Sequence, residues 1–302
     1  MLEDASALES TLPIGVTFGA EFQLFDSTSA LASTVTNSGR VGGGGLTTFF
    51  TGSSAGNATI TNRGATVGAA TSGGVEFSGL TAGTATFLNQ GAAVSGGMGG
   101  GVYFYLGDGG NATFRNFPGT VPGAFGGDLR VLGFFGANGP SLGSATVENL
   151  GSTASGARAG TTVLQGNATA GARRIRNARG AAAGGGAGTT VFSNTAHAGS
   201  ATITNEGAQN GGAGFTEFRD AANAGAAMFF NGAALPAGSG SAVIFSPSKI
   251  PSPTPRRRGR KAAPAEVRAG ASFSPKRTAA ARRGRSLRRA SAATGACSTS
   301  AR

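Results

Sequence analysis

Between about residues 13 and 245 small and apolar residues alternate with polar ones in short runs that recur along the chain. The clearest run is Gly56-Asn57-Ala58-Thr59-Ile60-Thr61-Asn62. In an extended chain Ala58, Ile60 and Asn62 fall on one side, and Thr59 and Thr61 on the other. Cognate runs end at Asn37, Asn62, Asn89, Asn116, Asn149, Asn177, Asn205 and Asn231, with spacings of 25, 27, 27, 33, 28, 28 and 26 residues. Two residues before each asparagine stands a bulky apolar residue: Val35, Ile60, Phe87, Phe114, Val147, Ile175, Ile203 or Phe229. Four before it is mostly alanine, as at Ala58, Ala85, Ala112, Ala145, Ala201 and Ala227. The pattern predicts a β-strand whose alanine, bulky residue and asparagine face inward, with a threonine column outside.

A second apolar anchor lies 12 to 14 residues ahead of each asparagine, at Phe25, Phe50, Phe77, Phe104, Phe135, Leu164, Phe192 and Phe218. Glycine clusters and short β-prone runs precede several of these, as in Gly73-Gly74-Val75-Glu76-Phe77. Each repeat therefore reads as two short strands separated by turns. Leucine-rich and ankyrin repeats need a helical half that these Gly- and Ser-broken units lack, and a propeller blade needs about 40 residues. One coil of a parallel β-helix needs about this length. The expected fold is all-β, a parallel β-solenoid of about eight 25–28-residue coils over residues 1–247. The asparagines form a structural amide ladder between coils. Glycines two residues beyond them, Gly39, Gly64, Gly91, Gly151 and Gly207, are expected at a corner of positive φ. The long spacing into Asn149 predicts a bulge around Asn138-Gly139-Pro140, and Arg173, at an inward position, predicts local distortion.

The periodicity stops after Phe245. Charge divides at the same place. Residues 1–249 hold 11 Lys/Arg against 12 Asp/Glu, a net of −1, whereas residues 250–302 hold 14 against one, a net of +13. Residues 248–302 therefore read as a disordered Arg/Ala/Pro/Ser-rich basic tail. Its densest clusters, Arg256, Arg257, Arg258, Arg260, Lys261 and Arg282, Arg283, Arg285, suit phosphate neutralisation in nucleic acid. A solvated tail without a partner, and a slipped GC-rich reading frame, fit the same composition.

Little in the body points to chemistry. The single cysteine, Cys297, precludes an intrachain disulfide framework. His197 is expected at an exposed turn without the partners of a triad or a metal site. The acids Glu76, Asp108, Asp128, Glu148, Glu206 and Glu217 lie in different half-repeats; Arg176 stands between Glu148 and Glu206 and predicts a surface ion pair. Isolated Asp108 and Asp128 do not make the nonapeptide of a calcium β-roll. No cofactor and no metal is expected. No window is apolar enough for a membrane helix, and residues 1–18 lack the basic n-region of a secretory signal.

The units of the form Gly-Gly-x-Thr-x-Phe and Ala-Thr-Ile-x-Asn, over residues 13–245, resemble the β-strand repeats of bacterial autotransporter passengers and related surface proteins. That resemblance implies a scaffold without shared catalytic residues, adhesin-like, displayed outside the cell or on the outer membrane as part of a longer exported protein. Neither that family's export signal nor its membrane barrel is read here. A host surface carbohydrate or protein is the partner that the outward threonines suit. The alternatives are a polysaccharide-active β-helix enzyme, which requires an acid cluster on one face, nucleic-acid binding through the tail, or a truncated reading frame with no independent function.

Overall fold

The computed structural model describes residues 14–246 apart from 17–19, 69, 135–138, 172–173 and 235–237. The tail and its basic clusters lie outside the described residues, as do Phe135, Asn138 and Arg173. The described chain winds as a parallel β-solenoid of about eight coils. One sheet of nine parallel strands contains Ile14–Val16, Thr34–Asn37, Thr59–Asn62, Thr86–Asn89, Thr113–Asn116, Thr146–Asn149, Arg174–Asn177, Thr202–Asn205 and Met228–Asn231. It is called here the asparagine sheet. A second sheet of nine parallel strands, the phenylalanine sheet, contains Glu21–Leu24, Leu46–Phe49, Gly74–Phe77, Gly101–Phe104, Asp128–Gly133, Thr161–Gly166, Thr189–Phe192, Phe215–Phe218 and Ala242–Phe245. Nine strands at ~4.8 Å make a stack roughly 40 Å long.

Register is kept from coil to coil, so that Ile60 pairs with Phe87, Phe87 with Phe114 and Phe114 with Val147. Like residues therefore stack. Phe49, Phe77 and Phe104 form a column with ring centroids 4.5 Å apart, and Phe87 lies on Phe114 at 4.8 Å. The columns from the two sheets meet edge-on where Phe77 touches Phe87 and Phe104 touches Phe114. In these coils the stacked and edge-on rings fill the apolar part of the interior, which Val131 and Leu164 continue in the next two.

The inward anchor in the first two coils is Leu24 and Phe49, not Phe25 and Phe50. Both runs carry two adjacent apolar residues, and the pairing of Phe49 with Phe77 decides which points in. Phe25 and Phe50 instead stack on each other at 4.3 Å on the half-buried outer side. In the fifth coil Val131, paired with Phe104, takes the anchor position expected of Phe135.

Each coil has a third side that the two-strand reading did not anticipate. Single-residue parallel bridges join Ser29, Ser54, Thr81, Asp108, Ser141, Thr169, His197 and Asn223 in one column. The next residue but one turns the corner with positive φ, as at Gly56, Gly83, Gly110, Gly143, Gly171 and Gly199, and at Leu31 with φ 39°. The bridge side chain caps that corner: Ser54 Oγ accepts from Gly56 N–H at 3.0 Å and Thr81 Oγ1 from Gly83 N–H at 3.0 Å. Between them alanines such as Ala55, Ala82, Ala170 and Ala198 close the core. The longer fifth repeat is accommodated between Val131 and its bridge residue Ser141, ten residues apart, where Phe104 and Asp108 are four apart.

Between the asparagine strand and the phenylalanine strand a loop projects as a fin. Its base is closed by glycine N–H groups donating to the residue after the asparagine, Gly73 to Arg63, Gly100 to Gln90 and Gly127 to Phe117. Those glycines cannot carry a side chain, because a Cβ on Gly127 would overlap the carbonyl and Cβ of Asn89. Gly39, Gly64, Gly91, Gly151 and Gly207 do not have positive φ. They are small for a different reason: a Cβ on Gly64 would overlap the Gly91 carbonyl and one on Gly91 the Pro118 carbonyl of the next coil. Backbone stacks directly on backbone there.

Candidate functional site

The most repeated polar residue is consumed by the fold. Asn37, Asn62, Asn89, Asn116, Asn149, Asn177 and Asn205 are each 0% exposed. Each donates from Nδ2 to Oδ1 of the next, at 2.8 Å from Asn37 to Asn62, from Asn62 to Asn89, from Asn89 to Asn116, from Asn116 to Asn149 and from Asn149 to Asn177. Asn177 donates to Asn205 at 2.7 Å, and Asn205 to Asn231 at 2.9 Å. The amide also donates to a backbone carbonyl of the next coil, Gly74 for Asn37, Thr161 for Asn116 and Thr189 for Asn149. In four coils a threonine hydroxyl supplies a further bond to Oδ1: Thr47 to Asn37 at 2.8 Å, Thr162 to Asn149 at 2.8 Å, Thr190 to Asn177 at 2.9 Å and Thr216 to Asn205 at 3.0 Å. Val75, Val102 and Leu129 occupy the same register elsewhere. A buried amide needs such partners, so the ladder binds coil to coil and, being buried, is closed to a ligand. Asn231, in the terminal coil, is exposed.

Two outer faces carry charge. On the asparagine sheet Arg115 Nε donates to Glu148 at 2.8 Å, Arg176 reaches Glu148 at 4.0 Å, and Arg176 pairs with Glu206 at 2.7 Å. The expected pair about Arg176 is therefore a chain of four groups, extended by Arg115 because its strand stacks one coil before Glu148. All four are partly exposed, so each single pair contributes at most about 1 kcal/mol.

The phenylalanine sheet concentrates most of the remaining chemistry. Thr48, Glu76, Tyr103 and Arg130 occupy one outward column on successive strands. Thr48 donates to Glu21 at 2.7 Å, and Arg130 Nε donates to Asp128 at 2.6 Å with its guanidinium 5.8 Å from the Tyr103 ring centroid. Tyr103 lies over Gly74 and Gly101, which supply a floor without side chains. Burial raises the pKa of Asp128, opposed by Arg130. Burial and the Glu21 charge raise that of Glu76. Burial, then the Asp128 charge, pushes the Tyr103 phenol up to about 12, so it is a donor at neutral pH. Solenoid stacking thus brings Glu76 and Asp128, from separate repeats, onto one face. They stand two coils apart, ~10 Å by strand spacing.

His197 occupies the third-side bridge column between Thr169 and Asn223 and is half-buried rather than exposed. Among the described residues no group of three or more His, Cys, Asp or Glu is placed to hold a metal ion, and no helix is long and apolar enough to cross a membrane. The fold defines the class: a β-solenoid repeat protein. Comparison with protein-family models, with curated proteins and with solved structures finds no match to this chain.

Proposed function

We propose that the chain is a non-catalytic, adhesin-like rod, a passenger-type element displayed at a cell surface and exposing its outer faces to a host carbohydrate or protein. The observation that supports this reading is the unbroken asparagine ladder. It commits the conserved-in-repeat polar groups to cohesion and leaves outward positions free to vary, as a solenoid presenting a long surface requires. A second reading, a polysaccharide-active enzyme, draws support from Glu76 and Asp128, two carboxyls of raised pKa on one face beside Tyr103. Inverting glycoside hydrolases hold their two carboxyls about 6.5–9.5 Å apart, a little less than the ~10 Å that two strand spacings give here.

One experiment separates the two. The full chain is applied to immobilised surface glycans and matrix proteins while soluble reducing ends are assayed. Retention without product is the expected result. Release of reducing ends that disappears in Glu76→Gln and Asp128→Asn overturns the non-catalytic reading in favour of the enzyme.

A further inference from the structure

A groove runs parallel to the solenoid axis along the corner where the asparagine sheet meets the fin. Over three successive coils it forms a concavity of about 400 Å³ lined by Arg63, Gln90 and Phe117, with Thr66 and Thr120 on the fin side and Gly64 and Gly91 at its base. Arg63, Gln90 and Phe117 each follow a ladder asparagine, and their N–H groups donate to Asn37, Asn62 and Asn89. They therefore stand one above another at the coil spacing, ~4.8 Å.

We propose that this groove binds a linear acidic glycan lying along the solenoid axis, an inference that rests on the adhesin-like reading and names its ligand class. Arg63 is exposed and has no ion pair among the described residues, in contrast to Arg115, Arg130, Arg176 and Arg219. A fork of guanidinium donors without a carboxylate suits the carboxylate of a uronic acid. Gln90, one coil on, offers an amide donor and acceptor to ring hydroxyls. Phe117, one coil further, is half-buried and held from one side by Arg115, whose guanidinium lies 5.3 Å from the ring centroid. The ring presents its remaining surface to the C–H face of a sugar. Cation, amide and aromatic thus follow one another at a step close to the length that one sugar adds to an extended chain.

A peptide strand fits less well. Ala65, Ala92, Ala93, Gly119 and Thr120 already donate their backbone N–H groups to Met98, Phe125, Ala65, Arg158 and Ala92, so this corner has few main-chain groups left to pair with an added strand. Recognition falls to side chains, as a polyhydroxyl ligand requires.

The test uses the full chain with polygalacturonate as the acidic probe and its methyl ester as the neutral one. Binding is measured for the parent, for Arg63→Gln, for Phe117→Ala and for a control in which Arg256, Arg257 and Arg258 are changed to Gln. Thermal melts establish that each variant is folded, which exposure of Arg63 favours. The groove predicts that Arg63→Gln and methyl esterification each weaken binding about tenfold, that Phe117→Ala weakens it for both probes, and that the tail control leaves it within twofold. Absence of binding to polygalacturonate, an Arg63→Gln affinity within twofold of the parent, or loss of binding in the tail control overturns the proposal. Retention on a matrix protein that is indifferent to Arg63 overturns the groove and leaves the adhesin-like reading standing. Arg63-dependent binding accompanied by release of reducing ends does the reverse.

Discussion

Substituting Asn116 by alanine tests the ladder at its centre. The side chain is 0% exposed, accepts from Asn89 at 2.8 Å and donates to Asn149 at 2.8 Å and to the Thr161 carbonyl at 2.8 Å. Alanine removes all three, together with a longer bond from Nδ2 to Thr162 Oγ1 at 3.3 Å. The Asn89 amide keeps its bond to the Asp128 carbonyl but is left with one buried N–H unpaired, which costs about 1–3 kcal/mol. Asn149 loses less, because Thr162 still donates to its Oδ1. Adding the lost bonds and the small cavity gives about 4 kcal/mol. At ~2–4 °C per kcal/mol for a chain of this size, the melting midpoint falls by about 8–16 °C. Far-ultraviolet circular dichroism of the full chain measures it. Asn231→Ala is the control: that residue is exposed, water replaces it as the partner of Asn205, and the cost stays below about 1 kcal/mol. A midpoint for Asn116→Ala within ~2 °C of the parent, or equal losses at the two positions, would refute the reasoning.

Three further outcomes are expected. Gly127→Ala, whose Cβ meets the Asn89 backbone, costs more than ~2 kcal/mol, whereas Gly96→Ala, with φ 73° and open space around it, costs only about 1 kcal/mol; urea denaturation ranks them. Thr162→Val places here the residue that Val75 and Val102 supply in the same register of earlier coils and removes one of two bonds to Asn149 Oδ1, a loss of about 1 kcal/mol by the same assay. Glu76→Gln raises the melting midpoint at neutral pH. Its folded pKa lies above the ordinary value, so the ionised carboxyl weakens the fold as pH rises through that pKa. The difference closes below ~pH 4, where both states are protonated; the same increment at both pH values would contradict the assignment.

The inward column of the asparagine strands was legible because period-two alternation coincided with a repeat, so that Ala58, Ile60 and Asn62 announced both face and stacking. Direction of the anchors was less legible: Phe49 and Phe50 are chemically alike, and only pairing with Phe77 distinguishes them. The third side left no strand pattern, since one bridge residue per coil has no period to detect. Glycine was recognised at the corners but its reason was not, because overlap of Gly91 with Pro118 depends on a residue 27 positions away. The same distance hid the face shared by Glu76, Tyr103 and Asp128: acids that are remote along the chain become neighbours only once the coil length is known to the residue. Met228, Phe230, Ile244 and Phe245 are exposed in the last described coil.

Side-chain amide hydrogen exchange, followed by nuclear magnetic resonance on the full chain with labelled asparagine, tests the stacked solenoid most directly. Seven side-chain amides, those of Asn37, Asn62, Asn89, Asn116, Asn149, Asn177 and Asn205, are buried and bonded, and their protons are predicted to persist for hours while that of exposed Asn231 exchanges at once. Exchange of all the asparagine side chains at the rate of a free amide would contradict the ladder, and with it the solenoid that the ladder holds together.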